Sequence, residues 1–169
     1  EKGGKKIKAI FPVHLGGQSP DMAEIHNIAT EHDLAIVEDA SHAIGSTYSY
    51  SQDQNNVGSC QFSDMATFSF HPAKTVAMGE GGAITTENPE IARRLKLLLN
   101  HGMTRESGNF VNKDMAYDSE DEKGELNPWY YEMQEIGFNY RISDIHCALG
   151  LAQLSKLEKF VKQITHLAR

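Results

Sequence analysis

Apolar and polar positions alternate between two rhythms over the first forty residues. Ile7 to Val13 (IKAIFPV) is mostly apolar, which predicts a strand, and it runs into a turn at His14-Leu15-Gly16-Gly17. The spacing then becomes helical, with Met22, Ile25, Ile28 and Ala29 on one stripe. Ser19-Pro20-Asp21 reads as the start of that helix: a hydroxyl cap, proline at the first helical position and an acid at the positive end of the dipole. Leu34-Ala35-Ile36-Val37 is a short unbroken apolar run, as expected of a strand buried on both faces. Strand, helix and strand joined by short links predict a βαβ unit, and hence a parallel sheet with covering helices.

Further on, Gly45 to Gly58 is polar and turn-rich and predicts a small hairpin. Met65 to Phe70 is the next strand, and Gly79-Glu80-Gly81-Gly82 is a tight turn into another at Ala83 to Thr86. Asn88-Pro89-Glu90 opens a helix with Ile91, Leu95, Leu98 and Leu99 on one face and Gly102 just past its end. Ser143 caps one long final helix that turns Ile145, Leu149, Leu154, Leu157, Val161 and Ile164 to the core. Gly150 inside it costs about 1 kcal/mol relative to alanine, so a close neighbour is expected there. Residues 103–126 break every period. With Asp118, Glu120, Asp121, Glu122 and Glu125 they predict a solvated, mobile insertion, because like charges repel and stay hydrated.

Composition narrows the function classes. Sixteen Lys and Arg against 23 Asp and Glu give a net charge of −7, which disfavours nucleic-acid binding, since that affinity comes from a basic face releasing counterions. No apolar run approaches the roughly 18 residues of a membrane helix. Two cysteines, Cys60 and Cys147, without CxxC spacing offer neither a disulfide framework nor a zinc ribbon, and a cytoplasmic location is expected. Eight scattered histidines include no usual ligand spacing, so no metal site is expected. Neither GxGxxG nor GxxxxGK[ST] occurs, which removes the dinucleotide and P-loop motifs.

Two strand ends carry candidate chemistry. Glu38-Asp39 closes the run Leu34–Val37, at the edge where ligands collect in open α/β sheets. Asp39 is either a cap for the following turn or a partner for a cation on a ligand, and His42 faces the same crevice if a helical turn follows. Ser69-Phe70-His71-Pro72-Ala73-Lys74 leaves the next strand, and Pro72 disfavours helix for His71, so Lys74 is presented from a loop. A lysine that forms a Schiff base with pyridoxal phosphate needs a carboxylate for the pyridinium nitrogen and donors for the phosphate. Asp39, Lys74 and Ser69 supply one of each.

Three ordered segments, Val37-Glu38-Asp39-Ala40-Ser41-His42-Ala43, Phe68 to Lys74 with Gly79-Glu80-Gly81-Gly82, and Gly137-Phe138-Asn139-Tyr140-Arg141-Ile142-Ser143-Asp144, resemble the DegT/DnrJ/EryC1/StrS family of pyridoxal-phosphate sugar aminotransferases. The resemblance implies an α/β fold: the large domain of fold type I, as in aspartate aminotransferase, with a mostly parallel sheet flanked by helices. It makes Lys74 the Schiff-base lysine and proton shuttle, Asp39 the carboxylate on the pyridine nitrogen, and His42 a residue beside the cofactor. Ser69 becomes a phosphate ligand, Asn139 a ligand to the phosphate of the neighbouring subunit, and Arg141 an anion contact. A homodimer with a shared active site follows. Asn127 to Glu135 (NPWYYEMQE) resembles the branch that aminates C4 of a UDP-linked 4-keto-6-deoxy-N-acetylhexosamine in pseudaminic acid biosynthesis, with glutamate as donor; a dTDP-linked ketosugar is the other substrate considered.

The chain opens at Glu1, and neither the family's amino-terminal phosphate-binding turn and stacking aromatic nor its carboxy-terminal small domain is recognisable, so residues 1–169 are expected to be the central part of the large domain. A sugar dehydratase relative is the alternative within the family, although such relatives replace the Schiff-base lysine by histidine. A non-catalytic relative that keeps the fold is the alternative outside enzymology, and it would have no need of Asp39, Ser69, Lys74 and Asn139 together.

Overall fold

The computed structural model describes residues 6–118 and 124–168. The chain divides into two compact units, Glu1–Pro89 with Ile142–Arg169, and Glu90–Arg141.

In the first unit β1 (Ala9–Ile10), α1 (Met22–His32) and β2 (Ala35–Asp39) form the expected βαβ unit. β1 pairs with β2 in parallel, Ala9 opposite Ala35 and Ile10 opposite Ile36. The hairpin of β3 (Thr47–Tyr50) and β4 (Asp53–Asn56) then leads to β5 (Met65–Ser69), which lies parallel to β2, and β6 (Gly82–Thr85) returns antiparallel to β5. The sheet order β1-β2-β5-β6 is therefore mixed, parallel through its first three strands. Met22 and Ala29 of α1 pack with Ile36 and Phe62, Ile25 joins them, and Tyr48 of the hairpin closes the cluster.

Several local expectations are corrected. The first strand is short because Pro12 lacks the ladder donor, and only an isolated bridge from Val13 to Asp39 continues it. Asp21, not Ser19, caps α1: its carboxylate accepts the Glu24 N–H at 3.0 Å, whereas the Ser19 hydroxyl donates to the Pro20 carbonyl. Ile28 is exposed rather than in the core stripe. β2 runs on through Asp39 and buries Ile36 and Glu38 on one face, while on the other Ala35 is exposed and Val37 and Asp39 are half-buried, so the two faces are unequally covered.

The single final helix is two, α4 (Asp144–Leu154) and α5 (Leu157–Leu167). Ser155 closes the first by returning its hydroxyl to the Ala152 carbonyl at 3.0 Å, a side-chain bond that competes with helix. Ile145, Leu149, Leu154 and Ile164 are exposed, because a periodic apolar stripe states what a face is and not what covers it. The expected close neighbour of Gly150 is present: a Cβ there would meet Met78 at 3.0 Å. Gly45, at φ +81°, has Val161 and Leu157 against it, so α5 needs a glycine at that turn.

The second unit holds most of α2 (Pro89–Leu99), the pair β7 (Met103–Thr104) and β8 (Glu132–Met133), and the single turn α3 (Lys113–Ala116). Residues 103–118 carry the short elements β7 and α3, and Phe110 and Ala116 pack with Tyr130 in a small core. Burial pushes the Glu132 carboxyl up, but hydrogen bonds from the Tyr130 hydroxyl, the Val111 and Asn112 N–H groups and Gln134 outweigh it and hold the group below the usual carboxylate range. Of the acidic cluster, Asp118 accepts the Glu125 N–H at 2.8 Å, and Glu120, Asp121 and Glu122 lie outside the described residues.

Candidate functional site

Because β2 and β5 run parallel, their carboxyl ends reach the same sheet edge, with Asp39 paired to Thr67 and Ser69 two residues further along β5. The Ala40 N–H donates to the Thr67 carbonyl at 2.9 Å and ties the two exits together. The chain leaving β5 is closed as a loop at Phe70, whose N–H donates to Gly81 at 2.9 Å and whose carbonyl accepts from Met78 at 3.0 Å. Lys74 sits within this loop, in a turn made by its N–H donating to the His71 carbonyl at 2.9 Å. The His71 ring accepts the Ala73 N–H at 3.1 Å, and the Ser69 hydroxyl oxygen accepts the His71 N–H at 3.4 Å. Gly79 takes φ +88° with the His146 ring against it, so α4 packs on the return limb of the lysine loop.

Asp39 is held below the usual carboxylate range. Hydrogen bonds from the Ser41 side chain and from the Ser41 N–H, the latter at 3.0 Å, lower it most; partial burial opposes them, and the charges of His42 and Lys74 lower it further. Asp39, His42 and Lys74 therefore share one electrostatic neighbourhood. The capping reading of Asp39 is realised as well, since the Ser41 bond spans two residues as an Asx-type turn does. A tight turn, Ala43 N–H to the Ala40 carbonyl at 2.9 Å, follows Asp39 and leaves the His42 ring exposed, its Nδ1 accepting the Gly16 N–H at 3.4 Å.

Asn139 and Arg141 belong to the second unit. Both are exposed; Asn139 bridges Asn100 through the backbone, and the Arg141 guanidinium donates to the Asn100 side-chain oxygen at 2.9 Å. In the stretch Asn127 to Glu135, Tyr130 and Glu132 are buried while Trp129 and Tyr131 are exposed, with the Arg105 guanidinium 5.8 Å above the Tyr131 ring. Among the described residues no group of three or more His, Cys, Asp or Glu is placed to hold a metal ion, and no helix is long and apolar enough to cross a membrane.

One pair at this edge is not foreseen by the sequence pattern. His14 is fully buried and its Nε2 lies 2.7 Å from the Glu38 carboxylate, itself 2% exposed, whose other oxygen accepts from the Ser63 hydroxyl. The available signal was strand alternation: Glu38 shares a face with Ile36, and a buried acid needs a partner.

The chain matches the DegT/DnrJ/EryC1/StrS aminotransferase family over residues 4–169. The UDP-4-amino-4,6-dideoxy-N-acetyl-beta-L-altrosamine transaminase of Campylobacter jejuni (serotype O:23/36) is 39% identical over 157 residues, which cover 93% of this chain and 35% of that protein. The structure of Helicobacter pylori PseC, an aminotransferase of pseudaminic acid biosynthesis, superposes with a TM-score of 0.70 at 30% identity, over 89% of this chain and 34% of that one. Spr1654 of Streptococcus pneumoniae, in its PMP-form, superposes with a TM-score of 0.75 at 26% identity, over 95% and 41%. The chain thus spans about a third of the length of the relatives it matches.

Proposed function

The chain belongs to the DegT/DnrJ/EryC1/StrS aminotransferase family, with its α/β aminotransferase fold, and from that membership we propose that it is the cofactor-binding part of a pyridoxal-phosphate-dependent nucleotide-sugar aminotransferase. The observation that carries the reading is the ionised Asp39 at the carboxyl edge of β2 with Lys74 and His42 in its field. An anionic carboxylate, a primary amine and a hydroxyl along one sheet edge are the donor set that a phosphorylated pyridine aldehyde requires.

Bound pyridoxal phosphate supplies an electron-accepting ring and carries the amino group from one substrate to the other. Asp39, kept anionic by Ser41, would pair with the protonated ring nitrogen. The Lys74 amine would hold the cofactor and, when free, would move the proton that transamination shifts. Its loop, closed at Phe70, holds it at the sheet edge. Ser69 would donate to the phosphate, and His42 would contact the cofactor. Asn139 reaches the phosphate of a second copy in a homodimer, and Arg141 makes an anion contact there. The donor is glutamate, and the acceptor is the C4 keto group of a nucleotide-linked 4-keto-6-deoxy sugar in cytoplasmic amino-sugar synthesis for a surface polysaccharide or glycan. Likeness to the Campylobacter and Helicobacter enzymes and the Asn127–Glu135 stretch favour a UDP-linked N-acetylhexosamine.

The test is amination by the intact protein with glutamate and either the UDP- or the dTDP-linked ketosugar. The UDP sugar is expected to give amino-sugar product, and Asp39→Asn to slow it by about 100-fold or more, because a charge placed in advance at the reacting ring is lost. Turnover of the dTDP sugar alone would move the protein to another branch. Turnover within a few-fold of wild type in the Asp39 variant would leave Asp39 as a turn cap.

A further inference from the structure

His14 and Glu38 take no part in the transamination proposed for this site, yet the two groups are buried at 0% and 2%, and Glu38 is the strand neighbour of Asp39, its side chain on the opposite face of β2. The bond between His14 Nε2 and the Glu38 carboxylate is the ring's whole polar anchorage, since Nδ1 is buried with no partner among the described residues. The proton of that bond sits on Nε2, because a carboxylate only accepts. On the far side Glu38 is held by the Ser63 hydroxyl, and its backbone carbonyl accepts the Thr67 hydroxyl at 3.1 Å, so the anchor is fixed to β5.

What the ring anchors is the segment from Pro12 to Gly17, and that segment is stitched to the site at three points. The Asp39 N–H donates to the Pro12 carbonyl at 2.9 Å, and the His14 N–H donates to the Asp39 carbonyl at 3.0 Å, so the backbone of Asp39 is gripped on both sides of its Cα. Two residues beyond His14, the Gly16 N–H donates to Nδ1 of His42. Whenever the ring is neutral, an N–H aimed at Nδ1 requires a lone pair there, which puts the ring proton on Nε2. At 3.4 Å this is a long bond, and a small drift of the segment removes it. Gly17 N–H to the His14 carbonyl, at 3.1 Å, makes the turn that carries Gly16 from one to the other.

We infer that His14 and Glu38 are positioning residues: their buried bond holds segment 12–17 in register, and through it the backbone of Asp39 and the tautomer of His42. The mechanistic value of this device rests on the cofactor reading of Asp39 and His42, but the device itself can be tested without cofactor.

Two substitutions separate the bond from the bulk of the ring. The amide nitrogen of His14→Gln reaches the place of Nε2 and keeps a donor to Glu38. The shorter His14→Asn puts its amide at the place of Nδ1 and does not. Nitrogen NMR of the imidazoles reads the His42 tautomer, and hydrogen exchange reads the Asp39 amide, both in the cofactor-free protein. His14→Asn is expected to turn His42 into a mixture of tautomers and to speed exchange at Asp39 at least tenfold, with His14→Gln close to wild type. The inference is overturned if both variants leave the His42 signals and the Asp39 exchange unchanged, or if both disturb them equally. Should His14→Asn fail to fold, Glu38→Leu decides, since it removes the acceptor at similar volume: faster Asp39 exchange in a folded protein supports the device, and unchanged exchange overturns it. Pyridoxal phosphate titration is run beside these. Failure of the wild type to bind would count against the proposed function, while the tautomer and exchange measurements would still decide the positioning role.

Discussion

Each unit of the chain contains a buried glutamate, and the two are used in opposite ways. Glu38 sits on a strand whose backbone is already paired, so its carboxylate is free to hold side chains, the His14 ring and the Ser63 hydroxyl. Glu132 lies in a two-residue strand, and its oxygens go to the Val111 and Asn112 N–H groups and to Tyr130. In the first unit the sheet makes the fold and the acid tunes what stands on its edge. In the second the acid does part of the work of secondary structure, by satisfying backbone donors that no ladder reaches. Carboxylates of similar burial therefore carry different penalties when they are disturbed.

The sharpest way to break this contrast is through two glycines. At Gly102, φ +70°, a Cβ would lie 1.8 Å from the Glu135 carbonyl oxygen, and backbone cannot swing aside. Gly102→Ala is expected to cost about 4 kcal/mol or more, since left-handed strain adds to a main-chain overlap. The sole tryptophan, Trp129, lies in the second unit, so its fluorescence in a denaturant titration reports that unit. Phe110→Ala comes next, at about 3 kcal/mol for a buried aromatic in a small core, read by the same signal. An unmoved Trp129 transition in either variant would mean that the second unit is not held by these contacts.

The acid limb of stability gives a smaller effect. A depressed carboxylate stabilises the fold above its unfolded value of about 3.9, and that share is lost as pH falls through its lower folded value. Asp39 is partly exposed, so solvent screens the effect. Carboxyl carbon NMR should titrate Asp39 below the ordinary range, and Ser41→Ala should move it up; a normal midpoint in the wild type would remove the claim that Ser41 keeps it ionised. Smallest of all is Gly150→Ala. The far end of Met78 can yield, and alanine recovers about 1 kcal/mol of helix propensity, so a net change within about 0.5 kcal/mol is expected by calorimetry. A loss as large as that at Gly102 would erase the distinction between the two sites.

Legibility in the sequence follows the same division. Where apolar residues repeat at helical spacing, as in α1, or run unbroken, as in Leu34–Val37, the elements and the parallel pairing of the βαβ strands could be read in advance. The parallel pairing of β5 with β2 is shown by the structure. Sequence also put Asp39 at one strand end and Ser69 and Lys74 at the exit of the next, because strand ends and turn residues are local signals, but the pairing that brings the two ends to one edge is not a local signal. It did not reveal the ordered path of residues 103–118, whose cohesion rests on Glu132 fourteen or more residues away rather than on any period. Nor did it find His14. A histidine in a Gly-Gly turn reads as surface until a register 24 residues distant puts Glu38 behind it. The exposure of Ile145 and Leu149 shows the remaining gap, since the pattern gives an apolar face but not its cover.

Whether the lysine loop after β5 and the carboxylate at the end of β2 form one cofactor site is decided by a single labelling experiment. The intact protein is incubated with pyridoxal phosphate, reduced with borohydride and mapped peptide by peptide. A single pyridoxyl mark on Lys74 is expected, prevented by Lys74→Ala while the fold is retained. A mark on another lysine, or none at saturating cofactor, would contradict the shared site.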